Sequence, residues 1–163
     1  MSGDEDFAAE FGRHHGGLVR FAYLLCSDLR RAEDVVNEVF ARTLPRWRKG
    51  AVDNLGQYLR RGILNELIND GRRRRLWQRV APRLARAEAP PSDSGVDDHL
   101  VLWALVNQLP LRQRAVVVLR VLEDRSEADT AQLLGISVGA VKSHLSRALA
   151  RLRTSAAEVA RNG

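Results

Sequence analysis

Cysteine is nearly absent: Cys26 stands alone in 163 residues, so no intrachain disulfide framework exists. It lies in the apolar run Phe21–Cys26 and reads as a small buried hydrophobe, suited to a reducing cytoplasm. Histidine is scarce too. His14 and His15 are adjacent, point in different directions on a helix, and read as surface or capping residues rather than metal ligands. No glycine-rich loop is built to cradle phosphate. A hydrolase or metal enzyme therefore has no constellation to work with, and neither catalysis nor a cofactor is expected. No apolar run reaches membrane-spanning length, and Met1–Glu10 is acidic rather than signal-like. Alternating β-branched stretches are missing, and there is no internal repeat. Apolar residues recur instead at three and four, which predicts an all-α chain.

The charge that is present is segregated. The formal net charge is +6. Residues 1–44 hold five Arg against eight acids, residues 60–86 nine Arg against two, and residues 87–100 four acids with no Lys or Arg. A basic balance suits a polyanionic partner.

The stretch on which the rest depends is Ser126–Arg153. Ser126 is an N-cap with Asp129 three residues on, and Ala128, Ala131, Leu133 and Leu134 supply a short apolar face. Gly135 stands where a helix end needs a left-handed residue. Ser137 caps the next helix, which is expected to run to about Arg153, with Val141, Leu145, Ala148, Leu149 and Leu152 on its buried side. Gly139, Ala140, Ser143, Ser146 and Arg147 lie opposite, flanked by Lys142 and Arg151. This is the pattern of a helix-turn-helix with a DNA-facing second helix. A plain helical hairpin with a solvated basic face is the alternative.

Upstream, Asp6–His15 reads as a short helix broken by Gly16-Gly17, and Leu18–Ser27 as a second. Arg31–Leu44 is amphipathic. Ala32, Val35, Val36, Val39 and Phe40 form its buried stripe; Glu33, Asp34, Asn37, Glu38 and Arg42 lie outside it. Pro45 is expected to end it. Arg46–Asn54 then reads as a loop mixing Trp47 with Arg46, Arg48 and Lys49. That mixture suits single-stranded nucleic acid, although Trp47 equally suits a core position closing the helix before it. Leu55–Gly71 is a long helix with Leu55, Leu59, Ile63 and Leu67 inside. Arg61, Asn65 and Asn69 recur on one outer face, leading into Arg72–Arg75. Such a ladder suits phosphates and base edges. The helical pattern fades over Trp77–Asp97, and proline, serine and glycine mark Ala89–Asp97 as a linker. Helices resume at His99–Gln108 and Leu111–Leu122. The expected architecture is two small helical domains, 1–78 and 98–163, joined by a flexible linker over 79–97.

Three stretches, AEDVVNEVFARTL, YLRRGILNELINDGRRRR and LPLRQRAVVVLRVLEDRSEADTAQLLGISVGAVKSHLSRALARLR, together resemble the extracytoplasmic-function (group IV) sigma factors of RNA polymerase, especially the short actinobacterial forms. Asn37 stands where the family often has Gln, Asp129-Thr130 replaces a Glu-Ile-like pair, Ala140 replaces a common Thr, and Gly71 weakens a helix end. The resemblance implies a cytoplasmic transcription initiation factor without regions beyond the two domains. Asp34, Asn37 and Glu38 would meet core RNA polymerase at the β′ clamp helices, with the β flap a second contact. Arg46, Trp47, Arg48, Lys49, Arg61, Asn65, Asn69, Arg72 and Arg73 would take the minus-10 promoter strand. Ala140, Lys142, Ser143, Ser146, Arg147 and Arg151 would meet the minus-35 element. The acidic linker Glu88–Asp98 would run through the RNA exit path. An anti-sigma factor is a further partner that many members have; a membrane is not. The rival reading is a dimeric helix-turn-helix regulator that binds duplex DNA without polymerase.

Overall fold

The computed structural model describes residues 3–80 and 98–162. Among the described residues there are seven α-helices and no strand. They are α1 (Gly3–Cys26), α2 (Leu29–Arg48), α3 (Leu55–Val80), α4 (Asp98–Asn107), α5 (Leu111–Val117), α6 (Glu127–Leu134) and α7 (Val138–Asn162); a π-helical turn, Val118–Leu122, follows α5. The expected linker, Ala89–Asp97, lies outside the described residues.

α1, α2 and α3 pack together. Phe7, Leu18, Phe21, Ala22 and Leu25 of α1 meet the predicted α2 stripe Ala32, Val35, Val36 and Val39, and α3 adds Leu55, Leu59, Ile63, Leu64 and Leu67. α2 and α3 approach closely at Gly62, where an added Cβ would sit 2.6 Å from Val39 Cγ1. The same cluster continues into the C-terminal half through Ala115, Val116, Val118, Leu119, Ala131, Leu133, Leu134 and Val141. A smaller cluster, Val106, Leu109, Val117 and Ala148, seats α4 against α5 and α7.

Several expected boundaries are corrected. Gly16-Gly17 does not break α1. Each glycine costs a helix about 1 kcal/mol, but apolar anchors on both sides, Phe7 and Leu18–Leu25, hold the helix against its neighbours. Pro45 does not end α2 either; it lies inside the helix. The last turn persists because Trp47 packs on Phe7, with ring centroids 5.6 Å apart, and its indole N–H donates to the Gly3 carbonyl at 3.1 Å. Trp47 is therefore in a helix, and Gly50, at φ 65, makes the turn beyond it. α3 passes Gly71 and Trp77 and is described to Val80, and α7 runs to Asn162, well past Arg153. In α6, Ala128 is exposed, and Thr130 is buried in its place beside Ala131.

Candidate nucleic-acid and polymerase interfaces

The helix-turn-helix is α6 and α7. Ser126 Oγ accepts from the Asp129 amide at 3.0 Å, and Ser137 Oγ from the Ala140 amide at 3.0 Å, so both helices start on the predicted caps. Gly135 closes α6 in the left-handed region, φ 65 and ψ 37. Val141 and Ala148 are buried, and Leu145, Leu149 and Leu152 half-buried, which turns Lys142, Ser143, Ser146, Arg147 and Arg151 outward; Ala140 is half-buried at the edge. Lys142 Nζ lies 3.7 Å from Glu127 Oε2, an exposed pair of small energetic weight. Between Ser143 and Leu145 sits His144, whose Nδ1 is buried without a partner. Burial, and then the charges of Arg112 and Arg147, push the pKa of its ring below the ordinary value.

On the N-terminal half, Asp34, Asn37 and Glu38 share the outer face of α2, all exposed. Glu38 Oε1 is 3.5 Å from Arg31 Nη1, and Arg31 Nε also donates to Asp70 Oδ2 at 2.8 Å, tying α2 to α3 beneath that face. Arg46 and Lys49 are exposed. Arg48 is engaged with Asp4: Nε to Oδ1 is 2.7 Å and Nη2 to Oδ2 is 2.5 Å. That bond to Arg48 holds the Asp4 carboxyl below its ordinary range. Asn65, Asn69, Arg72 and Arg73 are exposed along α3. Arg61 is on the same face, but its guanidinium crosses to the other half: Nη2 donates to the Gln132 carbonyl at 3.0 Å.

Two residues absent from the sequence-based site set join the halves. Arg60 Nη1 meets Glu123 Oε2 at 2.8 Å; the two side chains are 15% and 18% exposed. Arg114 donates to the carbonyls of Leu25, Asn107 and Leu109. The first two lie at the ends of α1 and α4, the negative ends of their helix dipoles. Burial pulls the Arg114 guanidinium below its ordinary pKa. In the sequence Arg114 is one of several arginines around an apolar run, and only its position between two helix ends and the turn at Leu109 sets it apart.

Comparison with known proteins decides whose helices these are. Residues 11–77 match the model of Sigma-70 region 2, and residues 99–152 that of Sigma-70, region 4. The RNA polymerase sigma-E factor of Streptomyces avermitilis is 39% identical over 137 residues, spanning 83% of this chain and 76% of the relative. The chain belongs to the extracytoplasmic-function RNA polymerase sigma factors. The ECF RNA polymerase sigma factor SigM of Mycobacterium tuberculosis is 31% identical over 145 residues, 87% of this chain and 72% of the relative. Among solved structures, the sigma factor RpoE of Bartonella quintana, in complex with the anti-sigma factor NepR, superposes with a TM-score of 0.69 at 25% identity, covering 92% of this chain and 96% of that one. A dimeric regulator acting without polymerase is disfavoured by these matches. No helix among the described residues is long and apolar enough to cross a membrane.

Proposed function

We infer that this sigma factor divides its work along its charge pattern. The unit 1–78 docks through Asp34, Asn37 and Glu38 on the β′ clamp helices of core polymerase. It takes the minus-10 strand with Arg46–Lys49, Arg61, Asn65, Asn69, Arg72 and Arg73, and so promotes melting. The unit 98–163 contacts the β flap and lays α7 into the minus-35 major groove. There the early part of the helix meets base edges and the flanks meet phosphates. No chemical step is performed by the factor itself. It works in the cytoplasm, and an anti-sigma factor is a fitting further partner, since the RpoE structure holds one.

The observation that carries this reading is the exposed face Asp34/Asn37/Glu38. Three polar residues stand on a helix whose other side buries Ala32, Val35, Val36 and Val39 in the core, in a chain of the sigma family. The test is the variant Asp34→Arg/Glu38→Arg. Core polymerase binding should be abolished while the circular dichroism of the helices is unchanged. Holoenzyme formation at wild-type affinity would remove the docking assignment.

A further inference from the structure

α1 begins with three acids, Asp4, Glu5 and Asp6. Carboxylates in a first turn suit the positive end of the helix dipole, which accounts for Glu5 and Asp6. Asp4 does something more. It grips Arg48, 44 residues away, with both oxygens: Oδ1 accepts from Nε at 2.7 Å and Oδ2 from Nη2 at 2.5 Å. Beside this fork the Gly3 carbonyl accepts from the Trp47 indole N–H at 3.1 Å. The start of α1 is thus bound to two consecutive residues of the proposed minus-10 set, while their neighbours Arg46 and Lys49 are exposed. The match to Sigma-70 region 2 starts at residue 11, so this turn lies outside the matched segment.

The guanidinium edge formed by Nε and Nη2 takes a carboxylate or a phosphate in the same way, through two parallel bonds. Asp4 therefore holds the donors that a DNA phosphate would use, and it sets a negative charge where the phosphate would come. The pair is open to solvent: the Arg48 and Asp4 side chains are 54% and 49% exposed. Exposed ion pairs are weak and yield to competition. Release leaves the core alone. The first buried residue of α1 is Phe7, three residues further in and stacked on Phe40, so the turn carrying Gly3 and Asp4 can unwind ahead of it.

Given Arg48 as a minus-10 contact, the reading on which this rests, we propose that Asp4 is a built-in competitor for the minus-10 strand: it occupies Arg48 in the free factor and yields it to a backbone phosphate when the first turn of α1 opens. The probe is a labelled random-sequence single-stranded oligodeoxynucleotide, bound to the full-length chain and followed by fluorescence anisotropy at several salt concentrations. Asp4→Asn keeps the shape of the side chain and removes its charge. It should tighten binding by roughly twofold to fivefold, the range set by the strength of an exposed ion pair. It should also steepen the salt slope by about 0.7, the value for one more phosphate neutralised on a single strand. Glu5→Gln removes the same charge one residue along and leaves the fork intact. It should tighten binding less, with the salt slope unchanged. In an Arg48→Ala background Asp4→Asn should lose its advantage over Glu5→Gln. An Asp4→Asn variant that binds no tighter than Glu5→Gln, or that keeps its advantage without Arg48, overturns the competition. So does weaker binding, which would make Asp4 a residue that positions Arg48 for DNA. The underlying reading is judged separately. If Arg48→Ala weakens binding while Asp4→Asn fails to tighten it, Arg48 remains a strand contact and only the competitor falls. If Arg48→Ala changes nothing even beside Asp4→Asn, Arg48 is no strand contact, and its place in the minus-10 set falls with the competitor.

Discussion

The close approach at Gly62 gives a direct test of how α2 and α3 are packed. In an open helix Gly→Ala stabilises by about 1 kcal/mol. Gly16 in α1 is such a site, with nothing within 4 Å of the added Cβ, so Gly16→Ala should gain that full amount. At Gly62 the same methyl would sit 2.6 Å from Val39 Cγ1. Val39 is 2% exposed and β-branched, so it has no free rotamer to retreat into. Overpacking of this kind costs about 1–3 kcal/mol, which offsets or exceeds the propensity gain. The two alanines should therefore differ by about 1–3 kcal/mol, or by roughly 2–4 °C in Tm for each kcal/mol in a chain of this size. Urea and thermal unfolding of both variants measure the difference. Val39→Ala combined with Gly62→Ala should show a favourable coupling of about 0.5–3 kcal/mol, because the smaller neighbour admits the methyl. If Gly62→Ala stabilises as much as Gly16→Ala, the helices are not in contact there and the packing account fails.

Two further outcomes are expected. Arg147→Ala should relax minus-35 preference at one base position by about 1–3 kcal/mol, whereas Arg151→Ala should weaken all sequences alike and lower the salt slope by about one; affinities for single-base variants at several salt concentrations separate the two, and a uniform loss for Arg147→Ala would mean backbone contact only. His144, depressed below its ordinary pKa of 6.5, stays neutral in the folded state while the unfolded chain takes up a proton. The stability it contributes is thus complete above about pH 6.5 and lost as pH falls towards the folded value, so urea midpoints of His144→Phe should vary less than wild type between about pH 7 and pH 5.

Local signals carried much of the fold. The caps at Ser126 and Ser137, the left-handed Gly135 and the α2 and α3 stripes were legible because each depends on neighbours within one turn or one helical face. Gly16-Gly17 and Pro45 misled for one reason: their local cost is outweighed by packing from residues far along the chain, such as Trp47 on Phe7. That Lys142, Ser143, Ser146, Arg147 and Arg151 are exposed on α7 could be read from its stripe. What Arg48 and Arg61 do could not, because their partners, Asp4 and Gln132, lie 44 and 71 residues away. Nor could the role of Arg60, whose carboxylate partner is 63 residues distant.

Arg114 and Arg61 both bind main-chain oxygens, at Leu25, Asn107, Leu109 and Gln132. Every amino acid brings that oxygen, so the accepting side of these joints is not encoded by the identity of any residue. Sequence drift at the four acceptor positions leaves the acceptor in place as long as the backbone keeps its course there. Change at the joint enters through the arginine, or at Gly135, where a side chain would crowd Arg61. Paired substitutions between the two halves would therefore record the Arg60–Glu123 contact and be silent about the bonds beside it, although those bonds join the same surfaces.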